Sequence, residues 1–343
     1  MAILSSRKNS VLNSIVGDYI KMAVPIASET IAREHGLGVS SATIRNDVVE
    51  LEHEGYITRP HSSAGSVPLD KGYRFYVETV STYDYYQTND TVRSSIRDEL
   101  NKVETDVDVW TSVAAAVLSG LIDNMAIVTF PKALESKVRH IHLVPLQDLV
   151  LMLIVVFEQA GLRRQLIRTR VPLDSADLES SVNKANEMLV GLSSFEIESK
   201  EMLLSSFEKD LVESTVLMLK NEDRSESLDH YFDGLRKLLD QPEFADKDQV
   251  RSLVEGVEDG SLAQAVFEEI PDHKGVRVVI GQENRGDLLW PLSIVLGQYG
   301  VPGYAYGTIG AIGPVRMQYA KTIASVELVT DVMSELVETV HGV

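Results

Sequence analysis

The 343-residue chain has no cysteine. It can therefore form no disulfide and offers no thiolate to zinc. Long apolar runs are also missing. The longest, Leu149 to Phe157, covers nine residues, well short of the roughly 20 that a membrane-spanning helix needs, and it reads as a fully buried strand. The opening stretch MAILSSRKNSVLNSIV lacks the apolar core and small-residue cleavage site of a secretory signal. These absences point to a cytoplasmic protein with no metal and no membrane association.

Basic charge is scarce too, with a formal net charge of −19, which at first sight speaks against a polyanionic partner. The distribution reverses that reading. Residues 1–75 hold eight basic and eight acidic residues, whereas residues 76–343 hold 24 and 43. The N-terminal segment is thus a neutral head on an acidic body, and any phosphate contact has to be local to it.

Periodicity divides the chain into α and β stretches. Apolar residues at helical spacing run from Val11 to Ile20, and Pro25 ends that pattern. SETIAREH (28–35) reads as a short helix capped by Ser28, and Gly36 to Gly38 as a tight turn. Ser40 is a natural N-cap for a third helix that Gly55 stops. YIT and SVP then read as strand fragments around the loop RPHSSAG. Three helices followed by a small hairpin make a winged helix-turn-helix. DKGYRFYVETV predicts a linker helix, and 81–91 a hinge.

Beyond the hinge, helix is expected over 92–120. Strands follow at MAIVTFP, VRHIHLVPL, DLVLMLIVVFE and LRRQLIRTRV. Helical stripes occupy 172–220, and strands resume at HYFDGL. The chain closes with helix at 247–268, three more strands and a helix from Met317 to about Val340. The fold class is therefore α+β and multidomain. The expected domains are 1–80 (winged helix with linker), 92–171 with 226–343 (a discontinuous sheet domain), and 172–225 (a helical insertion).

The third helix carries the chemistry. Ile44, Val48 and Leu51 share one stripe and should face the core. Ala42, Arg45, Asn46 and Val49 lie opposite, and these residue types suit a major groove. Arg pairs bidentately with guanine and Asn with adenine, while Ala and Val methyls meet the thymine methyl. Ser40, Ser41 and Thr43 at the helix start are suited to phosphate. The wing adds Arg59, His61, Ser62, Ser63 and Ser66.

The stretch SSATIRNDVVELEHEGYITRPHSSAGSVPLDKGYRFYV closely resembles the N-terminal motif of the heat-inducible transcription repressor family HrcA. GQENRGDLLWPLSIVLGQYG with GTIGAIGPVRMQYAKTIASVE, and LDQPEF at 239–244, resemble further signatures of that family. The matches span both ends and the middle of the chain. The resemblance implies a winged-helix domain, a GAF-like domain and an inserted dimerising domain. It also implies a homodimeric repressor of chaperone operons that binds an inverted-repeat operator called CIRCE, with the chaperonin GroEL as co-modulator. One position departs from the pattern: the family commonly has Arg after the wing's Ala-Gly, where this chain has Ser66. On that reading the wing loses a phosphate contact, which Arg59 would replace.

Other signals carry less. GTIGAIGP reads as turn structure, because it lacks the Lys-Ser/Thr ending of a phosphate loop. His140 and His142 share a strand face without an apparent third ligand. NRGD at 284–287 reads as a helix-start turn. Arg163, Arg164, Arg168 and Arg170 are expected in salt bridges. No catalytic constellation stands out, so neither an enzyme nor a cofactor is expected. The alternative function is a small-molecule-responsive regulator with its ligand in the GAF-like domain, which requires a deep polar pocket there.

Overall fold

Three short helices open the chain. α1 (Ser6–Met22) is capped by the Ser5 hydroxyl, which accepts from the Lys8 amide, and it buries Val11, Leu12, Ile15, Val16 and Ile20. α2 (Ser28–Glu34) has Ala27 as its N-cap, with no side-chain hydrogen bond, so Ser28 lies inside the first turn and does not cap it. α3 (Ser41–His53) is the reading-helix candidate. The computed structural model describes residues 4–61, 64–79, 90–101, 107–131, 135–158, 162–169, 172–224, 230–270, 275–301 and 305–341. Most of the expected hinge, 81–89, lies outside them.

The wing is a two-stranded ribbon. β1 (Ile57–Thr58) pairs antiparallel with β2 (Val67–Pro68), and α4 (Asp70–Thr79) follows. α4 joins the head to the sheet domain through side chains on both sides. Arg74 donates to Glu283 (2.8 Å) and to the Val278 carbonyl (2.7 Å). The Asp70 carboxylate accepts from the Gln282 amide at 2.9 Å. Arg316 reaches back to the Ile20 carbonyl at 2.8 Å and to Glu243 at 2.5 Å. Charged hydrogen bonds of this kind are directional, and they fix the head on that domain.

α5 (Asp90–Asn101) and α6 (Val107–Ile122) lead into a five-stranded sheet. Its order is β7-β3-β10-β9-β8, built from β3 (Met125–Thr129), β7 (His230–Asp233), β8 (Val276–Ile280), β9 (Leu292–Val301) and β10 (Ala305–Pro314). Met125, Ile127, Leu292, Ile294 and Leu296 are buried and pack with Leu238, Phe244, Leu253, Leu262 and Val266 of the intervening helices. The long C-terminal helix runs from Tyr319 to His341. GTIGAIGP forms most of β10 and is buried strand rather than turn. Its glycines serve close packing, since a Cβ on Gly307 would lie 2.2 Å from the Tyr299 ring.

A second compact unit spans residues 131–228 with 300–306. β4 (Val138–Gln147), β5 (Val150–Phe157) and β6 (Leu162–Arg168) form their own antiparallel sheet in the order β4-β5-β6. On one face lie α7 (Ser175–Leu189), α8 (Ser194–Glu198) and α9 (Ser206–Arg224). Their stripes, including Ala185, Leu189, Leu211 and Leu219, cover Ile141, Leu153, Val155 and Phe157. This corrects the expected borders. The strands at 138–168 belong with the inserted helices, because the two share one apolar core and one compact unit. β5 is also not buried on both sides: Leu151, Leu153, Val155 and Phe157 point inward, while Val150, Met152, Ile154 and Val156 are only half-buried.

Candidate nucleic-acid interface

Local chemistry sets both ends of α3. The Ser40 hydroxyl accepts from the Thr43 amide at 3.2 Å and lies 3.0 Å from the Thr43 hydroxyl. At the other end Gly55 adopts φ 76°. Its amide bonds to the Glu52 carbonyl (3.0 Å), and the Tyr56 amide bonds to the Leu51 carbonyl (3.0 Å). This is the paired closure that a left-handed glycine permits. Lys71 adds a 2.7 Å bond to the Glu54 carbonyl while lying over the Tyr56 ring.

Ile44, Val48 and Leu51 are buried in the head's core. Ser41, Ala42, Arg45, Asn46 and Val49 are exposed, and Thr43 is half-buried. Arg45 has no ion pair among the described residues, so its guanidinium is free to take a bidentate acceptor. Ser40 and Thr43 have already committed hydroxyls to the cap, which leaves Ser41 and the free N–H groups of the first turn for an anion.

The wing differs from its sequence reading. Arg59 is tied to Glu52, donating to it through its backbone amide (3.2 Å) and through Nε (2.9 Å), with a further short contact from Nη2. This guanidinium holds the Glu52 carboxyl below its ordinary range, chiefly by hydrogen bonding. His61 is exposed, whereas Ser62 and Ser63 lie outside the described residues. Ser66 corrects the expectation most directly, because the residue is buried, only 1% exposed. The chain there runs against the loop before α2, and a Cβ on neighbouring Gly65 would meet the Pro25 carbonyl carbon at 2.5 Å. The Ser66 side chain therefore does not reach the surface that a phosphate would touch.

Sequence reasoning missed the acids of this helix. Asp47, only 2% exposed, receives the Arg7 guanidinium through two bonds of 2.7 and 2.9 Å. Lys8 bridges Glu50 (2.5 Å) and Glu54 (3.2 Å). A signal did exist. Asp47 falls within the buried series 44, 47, 48 and 51, and a carboxylate on a core-facing stripe requires a partner.

The other candidates resolve locally. His140 and His142 sit edge to face with ring centroids 4.4 Å apart on the exposed side of β4. No group of three or more potential metal ligands occurs among the described residues. Asn284 of NRGD is buried, and its amide donates to the Gly281, Leu289 and Leu292 carbonyls, making it the pin of a turn. Arg163 pairs with Glu222 at 2.7 Å. A groove of about 430 Å³ in the second unit is lined by Ile197, Met202, Val212 and Leu217, with lysines at its rim. No helix among the described residues is long and apolar enough to cross a membrane.

Comparison with known proteins bears on the same elements. Residues 30–68, which hold α2, α3 and the wing, match a DeoR-like helix-turn-helix domain. Residues 108–323 match the HrcA protein C terminal domain. A heat-inducible transcription repressor HrcA from Dehalococcoides mccartyi is 40% identical over 340 residues, covering 99% of this chain and 98% of that protein. Proteins with the same description from Herpetosiphon aurantiacus (33% identical, 99% and 97% covered) and Thermoanaerobacter pseudethanolicus (31% identical, 99% and 98% covered) are also similar. A crystal structure described as a hypothetical protein shares the fold, with a TM-score of 0.62 at 22% identity over 98% of this chain and 99% of that one.

Proposed function

Since the chain belongs to the HrcA family of heat-inducible transcription repressors, we propose that it silences chaperone operons by binding an inverted-repeat operator of the CIRCE type as a homodimer. The observation that carries this reading is the exposed side of α3. There Ala42, Arg45, Asn46 and Val49 project from a helix whose other side is locked into the head by Ile44, Val48 and Leu51. These side chains form the base-facing surface, and Ser40, Ser41 and Thr43 bring the helix start to the backbone. His61, Ser62 and Ser63 belong to the wing's contribution. Arg59 joins them only as far as Glu52 releases it.

A two-fold dimer supports specificity, because it presents two reading helices to two half-sites. We assign self-association to the second unit. Among the described residues of this unit, helices lie on one face of the three-stranded sheet. The other carries Val144, Met152, Ile154, Val156, Leu162 and Leu166 at the surface or half-buried, with His140, His142 and Arg164 between them. Apolar patches of this kind mark interaction surfaces. Regulation by the chaperonin GroEL, which would keep the repressor active until unfolded protein draws it away, follows from the family resemblance, as does a cytoplasmic location.

A ligand-governed regulator is the weaker reading, because among the described residues the interior of the five-stranded sheet domain is packed with apolar side chains. The decisive experiment is footprinting on the protein's own upstream region, with and without the chaperonin. Protection of two half-sites, strengthened by chaperonin, is the expected result. Protection unaffected by chaperonin would remove that partner while leaving the repressor.

A further inference from the structure

The stretch 41–54 holds one arginine and four acids, Asp47, Glu50, Glu52 and Glu54. That is an unlikely composition for a helix meant to approach phosphates, which line DNA at one charge per roughly 1.7 Å. The three acids at i, i+3 and i+7, Asp47, Glu50 and Glu54, share one stripe of α3, and the first turn of α1 lies against it. We propose that Arg7 and Lys8 are positioning residues for the reading helix: they cover its acid stripe and so let α3 approach a polyanion, without touching the nucleic acid themselves. The proposal rests on the reading of α3 as the DNA-facing helix.

Two features of the geometry favour masking over simple packing. The first is that both sets of charges oppose their own helix dipole. Arg7 and Lys8 sit in the first turn of α1, which has no acid, and Glu50 and Glu52 sit in the last turn of α3. Cations at a helix N-terminus and anions at a C-terminus each weaken the helix that carries them. Neither placement serves its own element, and the carboxylates pair with the other helix or, for Glu52, with Arg59 of the wing, while Lys71 caps the carbonyl end of α3. The second is that Lys8 has no reach to spare. Its side chain is 18% exposed and its ammonium is held between two carboxylates. The hydrogen bonds it donates to Glu50 and then to Glu54 raise its pKa above the ordinary value.

The fully covered helix would then show a net positive reading end, consisting of Arg45 and the helix start, to the groove. Uncovering the stripe would place carboxylates within about one Debye length, roughly 10 Å at 0.1 M salt, of the phosphates.

The test uses the full-length protein and its footprinted operator, with affinity measured over a salt series. K8Q is expected to bind about tenfold more weakly at low salt, with the gap closing as salt rises. K8Q/E50Q/E54Q is expected to return to within about threefold of the wild type, because no charge is left to mask. R7Q and R7Q/D47N form a second, independent pair with the same expected loss and recovery. A merely structural role also recovers when both partners are removed, because a lone buried carboxylate is what destabilises. Its affinity loss, however, tracks a lowered melting temperature in K8Q and R7Q and does not close with salt, and that result would overturn the proposal. So would a triple variant as weak as K8Q with a salt slope shallower by about one, which is the mark of a direct phosphate contact. Insensitivity of the same operator to R45A would instead overturn the α3 reading itself, and with it this role.

Discussion

Ser66 and Ile26 exchange two backbone hydrogen bonds, with the Ser66 amide donating at 2.8 Å and the Ile26 amide at 2.9 Å. This antiparallel bridge stitches the wing to the loop between α1 and α2, and it uses the backbone of Ser66 alone. Ser66→Ala is therefore expected to leave operator affinity within about twofold of the wild type, surface or otherwise inert substitutions being near neutral. Ser66→Pro removes the donating amide and is expected to destabilise the head by about 1–3 kcal/mol, read as a lowered denaturant midpoint. A large affinity loss from the alanine variant would return Ser66 to the interface.

Gly65 makes a complementary case next to it. A Cβ at this position would fall 2.5 Å and 2.6 Å from the Pro25 carbonyl carbon and oxygen, and 2.7 Å from the Ile26 carbonyl carbon. These are backbone atoms and cannot swing aside. Gly65→Ala is expected to cost about 1–3 kcal/mol, the usual range for forced overpacking, and to weaken operator binding through a displaced wing. Thermal unfolding together with a mobility-shift titration checks both effects.

Arg45 separates binding from folding. It is exposed and unpaired among the described residues, so Arg45→Ala should leave the melting temperature unchanged. Its operator affinity should fall by about 1–3 kcal/mol, with discrimination relaxed at one base position. Competition among operator variants measures both quantities. Wild-type affinity in R45A would place the reading face elsewhere.

Glu52 gives a pH signature. Arg59 holds its carboxyl below the ordinary range, so the pair stabilises the fold above the unfolded-state value of about 4.3. That contribution is lost as pH falls through the lower, folded-state value. Both side chains are partly exposed, which limits the effect to about 1 kcal/mol or less. The melting-temperature difference between wild type and Glu52→Gln should be constant near neutrality and vanish under acid. In the same variant Arg59 is released, so affinity at low salt should rise, provided the guanidinium then reaches phosphate.

Much of the head could be read from the sequence because its determinants are local. Ser40, Gly55 and the stripe Ile44, Val48 and Leu51 signal a helix within fifteen positions. Asp47 could be flagged as anomalous there, but its partner Arg7 lies 40 residues away, and only the fold brings the two together. Gly65 and Ser66 were hidden for the same reason, since their neighbour is the loop at 25–26. The strands at 138–168 have ordinary strand patterns, and nothing within them says which sheet they join. That depends on the helices at 175–224, which cover one of their faces. The run 149–157 masked its own alternation, because both faces of β5 are apolar and a hydropathy pattern cannot separate inside from outside.

The outward face of β5 leads to the last prediction. Met152 pairs across to Leu166 and Val156 to Leu162. Those two leucines are 61% and 57% exposed. With Val144 opposite Met152 they make an apolar patch on the face that the described helices of this unit leave open, flanked by His142 and Arg164. A patch of this kind is costly in water and becomes stabilising when a second copy covers it. Because Leu162 and Leu166 lie outside the core of their own unit, aspartate is tolerated there by the monomer and not by an interface. L162D/L166D is therefore expected to keep its melting transition, sediment as a monomer and lose the tight operator binding that two linked reading heads provide. A variant that remains dimeric with unchanged melting would move self-association away from this sheet face, and the groove beside Leu217 would be the next surface to substitute.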